Sequence, residues 1–273
     1  MVDGFVPKDL AEALKIKAAH PETVWYAGGT DLMVDPEPDA TYLFVGKLDE
    51  LRRVREDDEY VRIGAAVTFT EGLRDPLVPQ VMKDALALIA APAIRNAGTF
   101  GGNIGNGSAK ADSVLVDYAL DARVRVLSAS GERVVPITEL YLGRKRLDLA
   151  PDEIVAEVLL PKADIGPYLY QKVGGRRALA ISRVSFCGVL RQDGGRIAGC
   201  TAAFGAVADT VLRFPDLESH LVGMTVGEAR AAVPDLVCAY GDRLKLTRGR
   251  VSAEYRKQVC LNLLGEFFSA MGL

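Results

Sequence analysis

The sequence predicts an α+β protein of two domains, and two observations lead to this fold class. Segments with helical spacing and segments with strand-like alternation are mixed up to about residue 165, and from about residue 168 the pattern changes to strands separated by tight turns. The chain has 273 residues, of which 49% are hydrophobic and 25% charged, enough to bury a sizeable core. We therefore expect a folded protein whose second domain begins near residue 168.

One helix and two strands are predicted near the N-terminus. Apolar residues at helical spacing predict a helix over about 8–19, which Pro21 ends. The runs Thr23–Tyr26 and Tyr42–Val45 are β-prone, and a glycine turn at 27–29 follows the first run. The expected order is helix, strand, glycine turn, strand.

Two further strands enclose a helix and a second glycine-rich stretch. Residues 60–64 and 123–127 alternate polar and apolar side chains, as half-buried strands do. Between them, an apolar helix is predicted over 79–93, and the sequence GTFGGNIGN follows it at 98–106.

The C-terminal region has clear local signals. Strands predicted at 183–191 and 196–207 flank Asp193-Gly194-Gly195, a strong hairpin signal. A helix is predicted over 253–270, with Ser252 as its N-cap and an apolar residue at every fourth position: Tyr255, Val259, Leu263 and Phe267.

Charge and hydropathy argue against nucleic-acid and membrane proteins. The net charge of -3 provides no extended basic surface. The N-terminus MVDGFVPKDL lacks the pattern of a signal peptide, and the longest markedly apolar uncharged stretch, 85–94, is too short to cross a bilayer. We expect no membrane span and a cytoplasmic location.

Cysteine and histidine provide little material for a metal site or a nucleophilic triad. Four scattered cysteines (Cys187, Cys200, Cys238 and Cys260) contain no C-x-x-C pair and are expected to be buried thiols. The chain has two histidines, His20 and His220. We therefore predict no metal ligand and no catalytic side chain, and we expect the chemistry to come from a bound cofactor.

Two glycine clusters, at 27–31 and 98–106, suggest how a cofactor is bound. Glycines let backbone amides approach a ligand closely and adopt positive φ, so both clusters resemble anion-binding loops. The alternative is that each cluster is a pair of tight turns. Neither cluster has the phosphate-loop pattern, and the Gly28 turn lacks the dinucleotide fingerprint G-x-G-x-x-G.

Four motifs carry a resemblance to a known family. They are AGGTDL at 27–32, GTFGGNIGNGSAKAD at 98–112, LAPDEIVAEVLLP at 149–161 and SAEYRKQV at 252–259. In this order and spacing they resemble the FAD-binding medium subunit of the molybdenum hydroxylases, the family of xanthine dehydrogenase and carbon monoxide dehydrogenase. The resemblance implies a two-lobed FAD domain of the vanillyl-alcohol-oxidase (PCMH-like) type at 1–165, with lobes at about 1–55 and 56–165. It also implies an α+β domain at 166–273, of the carbon monoxide dehydrogenase flavoprotein type, whose antiparallel sheet is covered by helices.

The resemblance also implies a set of FAD-binding residues. One side of the pyrophosphate would be bound by Ala27, Gly28, Gly29, Thr30, Asp31 and Leu32, and the other side by Thr99, Gly102, Asn103 and Asn106. Asp112 would accept hydrogen bonds from FAD hydroxyls or order its own loop, and Leu149 and Lys172 would lie beside the isoalloxazine. The alternative for Lys172 is a solvated surface charge near Arg176 and Arg177. Ser108-Ala109-Lys110 departs from the Ser-Pro of many relatives, which leaves the shape of this loop open.

The implied function is electron transfer within a complex. A large subunit with the molybdenum cofactor would oxidise the substrate, a small subunit with 2Fe-2S clusters would relay electrons, and this chain would pass them through FAD to NAD+ or another acceptor. Two alternatives remain. One is a self-contained flavoenzyme such as a reductase of cell-wall precursor synthesis, for which no acid or base motif is found, and the other is a domain that has lost FAD.

Overall fold

Thirteen strands and ten α-helices are found in residues 3–273, the part of the chain that the computed structural model describes. The strands are β1 (Asp3–Phe5), β2 (Val24–Tyr26), β3 (Thr41–Phe44), β4 (Val54–Glu56), β5 (Tyr60–Gly64), β6 (Arg123–Ser128), β7 (Gly131–Pro136), β8 (Tyr141–Gly143), β9 (Arg146–Leu147), β10 (Ile154–Pro161), β11 (Tyr168–Val173), β12 (Val184–Asp193) and β13 (Arg196–Gly205). The α-helices are α1 (Leu10–Ala19), α2 (Phe69–Arg74), α3 (Gln80–Ala87), α4 (Pro92–Arg95), α5 (Phe100–Gly105), α6 (Asp112–Ala119), α7 (Ile137–Leu140), α8 (Pro215–Glu218), α9 (Val226–Arg243) and α10 (Ala253–Ala270).

The chain divides into two compact units. The first contains the residues up to Ser108 together with Asp121–Pro161, and the second contains Ala109–Leu120 together with Lys162–Leu273. Helix α6 therefore packs with the second unit, although its residues fall within 1–165, the first domain that the family resemblance implies. No helix within residues 3–273 combines the length and apolar character that a bilayer crossing requires.

A three-stranded parallel sheet begins the first unit, with β3 between β1 and β2. The helix predicted over 8–19 is α1, which begins two residues later because Asp9 is its N-cap and accepts a hydrogen bond from the Glu12 amide at 2.7 Å. The two strands predicted on either side of the first glycine turn are β2 and β3, and the turn itself lies at the end of β2.

The second sheet of the first unit has five antiparallel strands in the order β4-β5-β10-β6-β7. The strands predicted at 60–64 and 123–127 are β5 and β6. Central strand β10 is buried over nearly its whole length, and Glu157 on it is 3% exposed. Its carboxylate accepts hydrogen bonds from Arg55 at 2.6 Å and from Arg125 at 2.7 Å, which compensates for its removal from water.

The prediction of one continuous helix over 79–93 is wrong. This segment forms two helices, α3 and α4, which are separated around Ala90, whose φ is 43°. Pro92 occupies the first turn of α4, where its missing amide is tolerated, and it disfavours helical backbone at the residue before it. The Arg95 guanidinium donates to the carbonyls of Ile89 and Ala90 at 2.7 and 2.8 Å, which stabilises the break.

The second unit is built on the antiparallel sheet β11-β12-β13. The predicted hairpin joins β12 and β13, and its turn residues Gly194 and Gly195 have φ of 54° and 76°, as a type I′ turn requires. Phe186, Phe204 and Phe267 belong to the apolar core between the sheet and the C-terminal helices.

Helix α10 has the predicted bounds, and the Ser252 hydroxyl accepts from the Tyr255 amide at 3.2 Å. The predicted apolar face is wrong at its start, because Tyr255 is 52% exposed. The buried face instead follows Arg256, Cys260, Leu264 and their neighbours. Two nitrogens of the Arg256 guanidinium donate there to the backbone carbonyls of Ala206 and Thr247.

Helix α6 is fully integrated into the second unit, and all its residues are buried. At its C-terminal end the Ala119 carbonyl accepts a hydrogen bond from the Thr201 hydroxyl at 2.9 Å, and the Tyr118 carbonyl accepts one from Arg213 at 2.6 Å. Side chains of the second unit thus satisfy carbonyls that a helix C-terminus leaves without partners.

Candidate functional site

The first glycine motif, 27–32, lies directly after β2 in the first unit. Gly29 has a φ of 67°, and a short 3₁₀ helix begins at Leu32. Within residues 3–273 the backbone amides of Gly28, Gly29, Thr30 and Asp31 donate to no acceptor. Four successive amides without an acceptor, in a partly buried segment, form an arrangement suited to an anion.

Gly28 brings the first motif against the start of the second. A Cβ built on Gly28 would lie 1.8 Å from the Ala97 carbonyl oxygen and 3.2 Å from the Gly98 nitrogen. Only glycine permits this approach of one backbone to the other. The structure therefore places together two motifs that are about seventy residues apart in the sequence.

The second motif, 98–106, differs from the predicted irregular loop, because residues 100–105 form helix α5. Thr99 is its N-cap and accepts from the Gly102 amide at 3.1 Å. The amides of Phe100 and Gly101 donate to the carbonyls of residues 67 and 65, so the first turn is already satisfied within the protein. The expectation of positive φ is wrong here, and it holds in the first motif at Gly29.

Helix α5 has one buried face and one bare face. Phe100, Gly101 and Ile104 are buried, and a Cβ on Gly101 would lie 2.4 Å from the Ala65 Cβ. The opposite face contains Gly102, Asn103, Gly105 and Asn106. At the two glycine positions the helix backbone on this face is uncovered, and the side chains of the two asparagines provide amide donors and acceptors beside it.

Asp112 and Lys172 meet in the second unit as a buried ion pair. The Lys172 Nζ lies 2.7 Å from Asp112 Oδ2, and the two side chains are 8% and 6% exposed. Ser182 Oγ donates to the other carboxylate oxygen of Asp112 at 2.6 Å. The alternative of Lys172 as a solvated charge is therefore wrong. The roles expected of Asp112 and Lys172 at the cofactor stay predictions.

Leu149 lies in the loop between β9 and β10, in the first unit. Hydrogen bonds from Arg133 to two carboxylates stabilise this loop. The Arg133 guanidinium donates to both carboxylate oxygens of Glu153 at 2.7 Å and to Asp148 at 2.8 Å. Hydrogen bonding from Arg133 lowers the pKa of Glu153. Glu153 in turn accepts from the Ala150 amide at 2.8 Å, which fixes the backbone next to Leu149.

Three residues that hold the candidate site were missed from the sequence: Arg133, Ser182 and Lys145. Arg133 and Ser182 act on residues at least 15 and 70 positions away, and no local pattern signals such contacts. Lys145 lies in the β8–β9 hairpin between Arg144 and Arg146, and no local pattern distinguishes it from these neighbouring cations.

Three of the four cysteines are buried and one is exposed. Cys187, Cys200 and Cys260 are buried, and burial raises the pKa of each thiol to about 12. Cys238 is exposed on α9, so the expectation of four buried thiols is wrong there. Across the described residues, no three His, Cys, Asp or Glu side chains come together as possible metal ligands.

The first unit fits a cofactor with a phosphate group better than it fits a purely apolar ligand. The acceptor-free amides of the first motif supply hydrogen-bond donors for phosphate oxygens, and the bare face of α5 permits close approach.

Comparisons with known proteins agree with this chemistry. The sequence profile of the FAD binding domain in molybdopterin dehydrogenase matches residues 1–163, and that of the CO dehydrogenase flavoprotein C-terminal domain matches residues 169–271. The chain is 32% identical to a xanthine dehydrogenase FAD-binding subunit of Escherichia coli O157:H7, over 75% of this chain and 73% of the relative. It is 30% identical to a nicotinate dehydrogenase FAD-subunit of Eubacterium barkeri, over 97% and 94% of the two chains.

The fold has close relatives among solved structures. A chain of carbon monoxide dehydrogenase from Hydrogenophaga pseudoflava superposes with a TM-score of 0.89 at 25% identity, covering 98% of this chain and 96% of that one. This likeness confirms the predicted fold class: a PCMH-like FAD domain followed by an α+β domain with an antiparallel sheet. The chain therefore belongs to the FAD-binding medium subunits of the molybdenum hydroxylases, a family of oxidoreductases, and its cofactor is FAD.

Proposed function

We propose that this chain is the electron outlet of a molybdenum-containing hydroxylase complex. In this proposal a small partner subunit with 2Fe-2S clusters delivers electrons that a large molybdenum-cofactor subunit has taken from the substrate. FAD supplies the chemistry of the outlet, since it accepts electrons singly and gives them up in pairs, here to NAD+ or another acceptor. The cytoplasmic location stays a prediction.

The residues of this chain have the task of binding and orienting FAD. The observation that carries the proposal is the row of four acceptor-free amides at Gly28 to Asp31, which we assign to the pyrophosphate. Ala27 and Leu32 flank this row. Thr99, Gly102, Asn103 and Asn106 would bind the pyrophosphate from the other side, with Gly102 and the asparagines on the bare face of α5.

Asp112, Leu149 and Lys172 are proposed to act on the remainder of the cofactor. The Asp112 carboxylate accepts hydrogen bonds from Lys172 and Ser182. A carboxylate has about four lone-pair sites, so it retains acceptor capacity for a hydroxyl of FAD. Lys172 is proposed to stabilise negative charge on the reduced ring, and Leu149 to contact the ring. No described side chain is assigned to acid–base catalysis, because an electron outlet does not require it.

The alternative is a self-contained flavoenzyme of the same fold. Such an enzyme would oxidise or reduce an organic substrate without other subunits. The match of residues 169–271 to the CO dehydrogenase flavoprotein C-terminal domain favours the electron outlet.

The deciding experiment compares the isolated chain with the reconstituted complex. Purified alone, the chain should contain up to one FAD per chain and neither iron nor molybdenum, and it should pass electrons from NADH to an artificial dye if NAD+ is the acceptor. Oxidation of the organic substrate should require the molybdenum and iron–sulfur subunits from the same source. Stoichiometric iron in the isolated chain, or turnover of an organic substrate by it alone, would contradict the proposal.

A further inference from the structure

Lys145 lies at the tip of the β8–β9 hairpin and contacts both glycine motifs. Its Nζ is 3.6 Å from Asp31 Oδ2 in the first motif and donates a hydrogen bond to Asn106 Oδ1 at the end of the second. All three residues belong to the first unit. The ammonium group therefore contacts a side chain of each motif, and one of these, Asp31, belongs to the row of residues whose amides have no acceptor.

The backbone of Lys145 is held in an unusual conformation. Its φ is 57°, in the left-handed region that non-glycine residues rarely adopt. The Lys145 amide donates to the Gly107 carbonyl at 3.1 Å, and a Cβ on Gly107 would lie 3.0 Å from the Lys145 Cα. Such a conformation persists only where the surroundings determine it, so the backbone from which the Lys145 side chain extends is held against Gly107, the residue that follows the C-cap of α5.

The ion pair with Asp31 does not account for this placement. The Lys145 and Asp31 side chains are 56% and 66% exposed, and ion pairs at such positions contribute little to stability. A cation that contacts the side chain of Asp31, one of four successive residues with acceptor-free amides, has a clearer use, because an ammonium group and amide donors attract the same anion.

We propose that Lys145 binds a phosphate of the FAD pyrophosphate directly and is a positioning residue for the cofactor. This inference rests on the assignment of the two glycine motifs to the pyrophosphate. When FAD binds, the ammonium group exchanges part of its contact with Asp31 for a phosphate oxygen. It also offsets the repulsion between the Asp31 carboxylate and the phosphate.

FAD titrations of the flavin-free full-length chain, followed by flavin fluorescence, test the proposal. Lys145→Gln should raise the dissociation constant for FAD about tenfold, the value of one charge-assisted hydrogen bond at a partly exposed position. Salt screens exposed charges, so this difference should shrink in about 1 M salt. Lys145→Arg keeps the charge and should remain close to the wild type.

Arg144→Gln is the matched control, because Arg144 is exposed in the same hairpin and its loss removes the same charge. It should leave the dissociation constant almost unchanged. A second variant, Asp31→Asn with Lys145→Gln, separates a direct contact from simple neutralisation of Asp31. The double variant should stay as weak as Lys145→Gln.

Equal affinities for Lys145→Gln and Arg144→Gln would overturn the proposal. Recovery of wild-type affinity in the double variant would also overturn it, because Lys145 would then act only by neutralising Asp31. If the wild-type chain bound FAD but tolerated Lys145→Gln, the flavin assignment would stand without Lys145. A wild-type chain that failed to bind FAD would overturn both.

Discussion

Lys172 and Asp112 depend on each other, so replacing one changes the environment of the other. Lys172→Met leaves the Asp112 carboxylate buried with its charge uncompensated, and breaking a buried pair costs about 3–5 kcal/mol. We expect the free energy of unfolding, measured by urea titration, to fall by about 3 kcal/mol. Adding Asp112→Asn should recover much of this loss. A single variant as stable as the wild type would contradict the role of this pair.

The same substitution tests the proposed role of Lys172 at the flavin. Removing a cation from the vicinity of the reduced ring should lower the midpoint potential, by about 30 mV for each 1.4 kcal/mol of lost stabilisation. Arg177→Met is the control, because Arg177 is an exposed cation in the loop between β11 and β12. A dye-equilibration titration in which both variants keep the wild-type potential would remove Lys172 from the flavin site.

Asp117 on α6 provides a pH-dependent prediction. Its two carboxylate oxygens are buried and have no hydrogen-bond partner among the described residues, and burial raises its pKa well above 3.8. The folded state therefore retains a proton that the unfolded chain releases above about pH 4, so the free energy of unfolding falls as the pH rises from there towards the folded-state pKa.

Asp117→Asn removes this dependence while keeping the side-chain shape. In urea titrations between about pH 5 and pH 8, the stability of the variant relative to the wild type should increase with pH, by at most about 1.4 kcal/mol per pH unit. Parallel pH profiles for the two proteins would show that Asp117 does not bind this proton in the folded state.

At the scale of elements, the substitution Gly102→Ala tests whether the bare face of α5 lies against FAD. A Cβ on Gly102 would lie 2.8 Å from Thr99 Oγ1, so Gly102→Ala weakens the cap while it improves helix propensity. These effects oppose each other, and we expect a stability within about 1 kcal/mol of the wild type but an FAD affinity at least about tenfold lower.

Gly265→Ala on α10 is the control for that experiment, since a Cβ there has open space around it and the residue lies outside the candidate site. Equal FAD affinity in both variants would argue against the proposed contact.

Gly29→Val is unsuitable as a local probe. A Cβ there would lie 2.2 Å from the Tyr26 hydroxyl at a φ of 67°, so the fold itself would be disturbed.

The elements that the sequence predicted well have local signals. Helix α10 has a capping serine, and the β12–β13 hairpin has Asp193-Gly194-Gly195. The division between α3 and α4 also had a local signal, Pro92, but it depends as well on Arg95, which bonds the carbonyls exposed at the break. The sequence did not indicate that residues 100–105 form a helix, because glycine has a low helix propensity. Tertiary packing compensates for the low propensity of the three glycines in α5.

At the scale of the molecule, the resemblance of four motifs predicted the family, the cofactor and the fold class. It could not predict the pairing of Lys172 with Asp112 or the contact of Lys145 with both motifs. These contacts join residues separated by 60 and by 39 positions or more, and they depend on how the chain returns to itself in three dimensions. Charge–charge contacts of this kind leave no periodicity in the sequence.

The placement of α6 determines how the gene can be divided. Its residues stand before β6 in the sequence, yet its buried side chains pack against the sheet of the second unit, and its C-terminal carbonyls accept hydrogen bonds from side chains of that unit. A fragment ending at Pro161 would contain α6 without that sheet, and a fragment beginning at Lys162 would lack the helix. No single cut therefore separates two self-sufficient halves, and each fragment expressed alone should bind hydrophobic dyes and aggregate. Recombination between relatives at one crossover point would face the same obstacle unless the incoming helix suited the resident sheet.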